Sequence, residues 1–347
     1  MSPDLLLVSL GTTRGLRVAD AALLEQVRRA GASADAVAVR IGALDRLRRG
    51  YPANDLVEAA AARRALRAGL RGDPRAVIFS TVTAAMLAPR LAVPSAVRLD
   101  SPAVLNRRGA RNAALHRLER RALDGARLVL PWSRAASAVL PSGAERAVVL
   151  PPPIEPSGPT GERREPLAVA YVPDPKAKGL SLLCAAWERA AIRDARLAVY
   201  GLSSERAARH LVRFGPAEPD GVEWRGQAPA AEFRVALRRC RAFVHSALWE
   251  DFGQASLEAL ADGAPLVTVP SGGAYEALAL AGELANELVA SELEPGSLAG
   301  CIRAAFSMDD HAADDYRDRA RALLAPYRLE ALEETVRERV LPVLLGS

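Results

Sequence analysis

The chain has 347 residues, half of them apolar and a quarter charged, with a formal net charge of +5 and a pI of about 9.4. That length exceeds what one hydrophobic core usually fills, so two domains are expected, and with no apolar run of about 18 residues a membrane-spanning helix is excluded. The arginines spread along nearly every amphipathic stretch, and no basic run is interleaved with aromatics, which argues against nucleic acid as a partner.

The opening segment, MSPDLLLVSLGTTRG, is apolar with no basic stretch before it, and reads as a first buried strand rather than a signal peptide. Short apolar runs at 5–10, 36–41, 76–80, 96–99, 127–130 and 147–150 read as strands. Helical spacing of apolar residues covers 20–29, 55–69, 83–91, 111–123 and 134–140. This alternation predicts an α/β fold, a parallel sheet with helices on both faces. The segment LPPPIEPSGPTGERREP at 150–166 then interrupts it, because proline cannot donate to a ladder and restricts the residue before it.

The alternation restarts with strands predicted at 167–172, 197–200, 222–224, 242–245, 266–269 and 284–289. Helices are predicted at 180–191, 204–213, 230–239, 254–261, 274–280, 295–307, 310–324 and 329–345. The domain reading is therefore 1–150, a linker at 151–166, a second domain at 167–325 and a final helix at 326–347. Cys184, Cys240 and Cys301 are odd in number and set in apolar patterns, so they read as core thiols. His116, His210, His245 and His311 have no metal-ligand spacing.

Chemistry concentrates in HSALWEDFGQASLEALADGAPLVTVPSGGAYEAL, from His245. Phe252-Gly253 makes a turn and a helix opens near Gln254, so backbone N–H groups face outward at a helix start, where phosphate is stabilised. Glu250 lies before that helix and Glu258 within it, where a carboxylate suits a ribose diol. Two carboxylates at this spacing are also common on solvated faces. Of 46 basic residues only Lys176 and Lys178 are lysine, and both lie in one loop. A lysine is a compact, mobile point charge, unlike the planar fork of arginine. The aspartate pairs Asp309-Asp310 and Asp314-Asp315 sit in a polar helix and read as solvated, so no metal site is expected.

The whole phrase resembles the E-x7-E signature of GT-B glycosyltransferases of family 4, the group 1 type, through Ser246, Glu250, Phe252, Gly253, Glu258, Ala259, Ala261, Gly263, Pro265, Val267, Gly272, Gly273 and Glu276. Further resemblance lies in Gly11-Thr12-Thr13-Arg14-Gly15 after the first strand, PPPIEP where the domains join, the lysine-glycine loop PDPKAKG, and LAVYG with WRGQ around Gly226. The resemblance implies two Rossmann-like domains facing a cleft, and retaining transfer from a nucleotide-diphosphate sugar, UDP or GDP by prevalence. By position it implies Glu258 on the donor ribose and Glu250 on the transferred sugar. The amides at Phe252, Gly253 and Gln254, with Lys176 and Lys178, would hold the diphosphate, and Gly226 would line the nucleotide pocket. The loop bearing Gly11, Thr12 and Gly15 would belong to the acceptor side.

Two positions depart from the family pattern. Val172-Pro173-Asp174 stands where an arginine is usual, with Lys176 as the substitute charge. Asp100, in AVRLDSPA, stands where many relatives carry a histidine, and suits either acceptor deprotonation or a turn. No cofactor beyond the donor is implied. The acceptor is not legible, while Arg63, Arg64, Arg67, Arg71, Arg107, Arg108 and Arg111 suit peripheral contact with an anionic membrane from the cytoplasmic side. The rival reading is a non-catalytic protein of the same fold that binds a nucleotide sugar or a partner transferase.

Overall fold

The computed structural model of the chain describes residues 2–48, 50–159 and 163–346. It divides into two compact units, Met1–Pro153 with Tyr327–Ser347, and Ile154–Pro326.

The first unit is built on β1 (Leu5–Ser9), β2 (Ala34–Ala38), β3 (Ala76–Phe79), β4 (Ser95–Leu99) and β5 (Leu128–Pro131). All pair in parallel, in the order β2-β1-β3-β4-β5. Its helices are α1 (Arg14–Arg29), α2 (Ala53–Gly69), α3 (Val82–Ala85), α4 (Ala103–Asn106), α5 (Ala113–Asp124) and α6 (Arg134–Ala138). The inner strands are continuous buried apolar runs, as a sheet covered on both faces requires. Leu5, Leu7 and Ile78 pack into one core layer, and Leu6, Val8, Val77 and Phe79 into the other.

The second unit holds β6 (Leu167–Tyr171), β7 (Arg196–Tyr200), β8 (Val222–Gly226), β9 (Ala242–His245) and β10 (Leu266–Thr268), again all parallel, in the order β10-β9-β6-β7-β8. Its helices are α7 (Leu180–Ala190), α8 (Ser204–Phe214), α9 (Ala230–Arg239), α10 (Gln254–Ala261), α11 (Glu276–Leu284), α12 (Pro295–Ser307) and α13 (Asp310–Leu323). From β6 the chain winds outward through β7 and β8, then returns to the other side of β6 at β9. The gap between the carboxyl ends of β6 and β9 is thus the topological switch point, where open α/β sheets bind ligands.

Several predicted elements differ. The stretch 147–150 is not a strand: Val148 and Leu150 donate to Val129 and Pro131 at 2.9 and 2.8 Å, but Pro151, Pro152 and Pro153 offer no N–H to extend a ladder. The strand predicted at 284–289 is instead the end of α11 and a 3-10 turn at Asn286–Leu288, with Val289 making only an isolated bridge to Thr268. The helix predicted at 83–91 shrinks to α3 because Pro89 disfavours helix before it. The last stretch is broken into α14 (Leu329–Thr335), a π-helical turn at Val336–Val340 and α15 (Leu341–Leu345), consistent with Pro342 lacking the N–H that the ladder would use.

Cys184, Cys240 and Cys301 are free and buried, and burial pushes the Cys184 and Cys240 thiols up to about 12. They are core residues, inert as nucleophiles at neutral pH.

Candidate functional site

The loop after β6 carries both lysines. Asp174 Oδ1 accepts the N–H groups of Lys176 and Ala177 at 2.9 and 2.8 Å, and its carbonyl accepts that of Lys178 at 3.0 Å. This tight turn ends at Gly179, whose φ of +65° is left-handed and whose missing Cβ leaves room for the Ser246 carbonyl. The loop after β9 is stitched against it: Ser246 Oγ donates to the Lys178 carbonyl at 2.9 Å, and Leu248 N–H to that of Ala177 at 3.3 Å. Two glycines, Gly272 and Gly273, brace the β9 loop from the other side. Glu250 N–H donates to Gly272 at 2.9 Å, and a Cβ on Gly273 would strike the Glu250 carbonyl.

These supports bring Lys178 and Glu250 together at the switch point. Lys178 Nζ lies 2.5 Å from Glu250 Oε2, with the two side chains 22% and 16% exposed. The pair is therefore mostly withdrawn from water yet reachable. Lys176 is exposed, and its ammonium makes no ion pair among the described residues. Gly253, at φ +87°, opens α10 with no side-chain cap, and a Cβ there would run into the Tyr275 ring. Phe252 is buried and its carbonyl accepts Glu276 N–H at 3.3 Å.

Glu258 sits one turn into α10, where Gln254 Nε2 donates to it at 2.9 Å. Burial raises its pKa, opposed by Arg234 and the Gln254 hydrogen bond. The structure joins Glu258 to Gln254 rather than to the Lys178–Glu250 pair. Gly226 ends β8 at φ +59° and exchanges backbone hydrogen bonds with Leu202 and Gly201 beyond β7, at 3.1 and 2.7 Å. It shares the carboxyl edge of the sheet with the lysine loop, further along the strand order.

His245 was not singled out by sequence reasoning beyond its lack of ligand spacing. It ends β9, buried, stacked on Tyr275 with centroids 4.5 Å apart, and its Nε2 is 3.9 Å from Glu250 Oε2. Burial, with the Lys178 charge adding to it, pushes its pKa down to about 3, so the imidazole is neutral. Its position immediately before Ser246 in the motif was the available signal.

In the first unit Gly11 follows β1 at φ +53°, its carbonyl accepting Arg17 Nη1 at 2.8 Å. The cap of α1 is Thr13, accepting Leu16 N–H at 3.2 Å, while Thr12 is exposed and Gly15 lies in the first turn. Asp100 follows β4, and its Oδ1 accepts Ser101 N–H at 2.8 Å. The start of α4 is held by Glu119, which accepts Ala103 N–H at 2.7 Å. Beside Asp100 lies a cluster that the sequence did not disclose. Buried Arg98 donates to Asp20 at 3.1 Å and lies over the Trp132 ring, and Asp20 also accepts from Ser9 at 2.6 Å. Burial raises the Asp20 pKa and lowers that of Arg98 to about 10.

Asp309 caps α13 by accepting Ala312 N–H at 2.8 Å, and Asp314 and Asp315 pair with Arg317 and Arg319. Among the described residues no group of three or more His, Cys, Asp or Glu is placed to hold a metal ion. Among the described residues no helix is long and apolar enough to cross a membrane.

Residues 164–307 match the family model for glycosyl transferases group 1. The fold is similar to that of a sucrose-phosphate synthase from Thermosynechococcus elongatus, with a TM-score of 0.76 at 18% identity over all of both chains. It is also similar to WaaG, a glycosyltransferase involved in lipopolysaccharide biosynthesis, with a TM-score of 0.67 at 15% identity over 99% of this chain and all of that one. A glycosyltransferase from Rickettsia africae gives 0.66 at 14% identity over all of both chains. No curated protein matches the chain. The fold is thus the two-domain α/β GT-B type, and the group 1 domain makes the chain an enzyme of glycosyl transfer.

Proposed function

We propose that the chain transfers a sugar, with retention of anomeric configuration, from a UDP- or GDP-sugar to a hydroxyl-bearing acceptor, without a metal ion. The observation that carries this reading is the meeting of Lys178 and Glu250 at the switch point between β6 and β9, beside the uncapped start of α10.

The chemical difficulty is the leaving group. As the bond between the anomeric carbon and the diphosphate oxygen breaks, negative charge grows on the diphosphate. An ammonium and helix-start amides already aimed at that place stabilise the transition state more than the ground state. In this reading Lys178 supplies the charge, Lys176 reinforces it, and the amides near Phe252, Gly253 and Gln254 receive phosphate oxygens. Glu250 accepts from hydroxyls of the transferred sugar, and Glu258, fixed by Gln254, accepts from the ribose diol. Gly226 lines the nucleotide side. Asp100, just past the carboxyl end of β4 in the sheet whose β1 leads into Gly11, Thr12 and Gly15, takes the acceptor proton. Retention is carried over from the family resemblance.

Metal independence is supported by the engagement of the aspartate pairs in a cap and in ion pairs, so full activity in EDTA is expected. Peripheral contact with anionic lipid at a cytoplasmic membrane face is supported by exposed Arg63, Arg64, Arg67 and Arg71 in a unit that also exposes Leu47, Tyr51 and Leu56.

The test begins with thermal-shift measurements against UDP, GDP, ADP and dTDP, because a ligand of the folded state raises its Tm. The corresponding nucleotide sugars are then assayed for hydrolysis and transfer. A Tm rise with UDP or GDP and turnover of its sugar are expected. Binding without any turnover would leave a nucleotide-sugar-binding protein in place of an enzyme.

A further inference from the structure

His245 ends β9 as a buried side chain whose Nε2 has no hydrogen-bond partner. Such a nitrogen is costly to bury unbonded, and each case calls for a reason. Here the reason lies 3.9 Å away. Glu250 Oε2 is the nearest anionic oxygen to His245 Nε2, and the same oxygen is held by Lys178 at 2.5 Å. One carboxylate oxygen therefore has two suitors, a charged one in contact and a neutral one just beyond hydrogen-bond distance.

The donor reading makes conflicting demands on Lys178. An ammonium in contact with a carboxylate has much of its field cancelled at any longer distance. To stabilise a departing diphosphate it must turn from Glu250 to the phosphate, and Glu250 then loses the group that orients it. We propose that His245 is a positioning residue for Glu250: when the donor diphosphate draws Lys178 away, the His245 Nε2–H closes onto Glu250 Oε2 and keeps that carboxylate aimed at the sugar hydroxyls. The proposal rests on the donor site described above and adds a residue which that reading does not use.

The surroundings suit this role. The Tyr275 ring stacks on the imidazole and fixes its plane, and the tyrosine is itself anchored through its hydroxyl to Ser256 and Thr268, at 2.9 and 3.2 Å. Thr268 is the in-register neighbour of His245 across β9 and β10. The titratable and charged groups facing the imidazole are Lys178 from the β6 loop, Glu250 from the β9 loop and the Tyr275 phenol, which burial keeps protonated. With burial and Lys178 both opposing its protonation, the ring approaches Glu250 as a neutral donor and no proton is transferred.

Histidine NMR tests this directly, since the chain has only four histidines and the His245→Gln spectrum identifies the resonance. In Lys178→Met the imidazole faces an unopposed carboxylate, so its titration midpoint is expected to rise by about one pH unit or more. Saturation of the unsubstituted protein with UDP or GDP, whichever raises Tm, is expected to move it in the same direction. In the transfer assay, His245→Gln places an amide nitrogen near the Nε2 position and is expected to stay within about threefold of full kcat. His245→Leu is expected to lose about tenfold in kcat with donor KM unchanged, the scale of one hydrogen bond. Thermal melts verify that both variants fold.

A midpoint unmoved both by Lys178→Met and by bound nucleotide overturns the proposal, as does equal activity of the Gln and Leu variants. If neither UDP nor GDP raises Tm, the donor reading fails and this inference falls with it. If nucleotide binds and the midpoint stays fixed both there and in Lys178→Met, the inference alone fails.

Discussion

Arg98 is buried in β4, where its guanidinium bonds Asp20 at 3.1 Å and faces the Trp132 ring. Burial weakens the charged form of both partners, so their pairing is what makes either tolerable. Arg98→Met is therefore expected to cost about 3–5 kcal/mol in urea unfolding by stranding Asp20. Replacing both, with Asp20→Leu added, is expected to recover most of that loss. The sequence could not show this pair. It reads AVRL as an apolar strand with one exception, and nothing in the spacing links position 98 to position 20. The Glu250 and Lys178 residues were more legible because each sits in a local phrase of glycines, and glycines report backbone geometry. That the two side chains would touch was not legible, because their loops follow different strands.

At the level of the element, the two site loops are shaped by positions where a side chain cannot fit. Gly179 has a left-handed φ of +65°, and a Cβ there would collide with the Ser246 carbonyl, a backbone atom that cannot swing aside. Gly179→Ala is expected to destabilise the second unit by about 2 kcal/mol or more, read as a lowered Tm. It is also expected to weaken nucleotide binding in titration calorimetry, because the displaced loop carries Lys178. Periodicity located most strands and helices, since buried parallel strands are continuous apolar runs bounded by turn residues. It misplaced 147–150 and 284–289, where short apolar sequence fits a single hydrogen-bonded bridge as well as a strand. It overextended the helix at 83–91, where Pro89 decides the end. It also opened the helix at 20–29 six residues late: α1 begins at Arg14, capped by Thr13 accepting Leu16 N–H, in a first turn whose glycine and arginines carry little apolar periodicity.

For the whole molecule, the chain's last segment completes the first unit. Leu332, Val336, Val340, Leu341 and Leu344 are buried in the same core layer as Leu5, Leu7 and Leu130. Leu344→Ala is expected to cost about 2–4 kcal/mol in urea unfolding, the range for a cavity in a packed core. Two sheets of the same parallel architecture were foreseeable from the repeated rhythm on either side of the prolines. The strand order, and with it the switch point that brings the β6 and β9 loops together, is set by packing and is not written in any local pattern. The account stands on that convergence serving the leaving group. Its most direct test is steady-state turnover of the cognate nucleotide sugar by Lys178→Ala, with folding verified by thermal melt. A loss of more than about a hundredfold in kcat is expected, the scale of removing one charge-stabilising donor. Near-normal kcat in that variant would contradict the account.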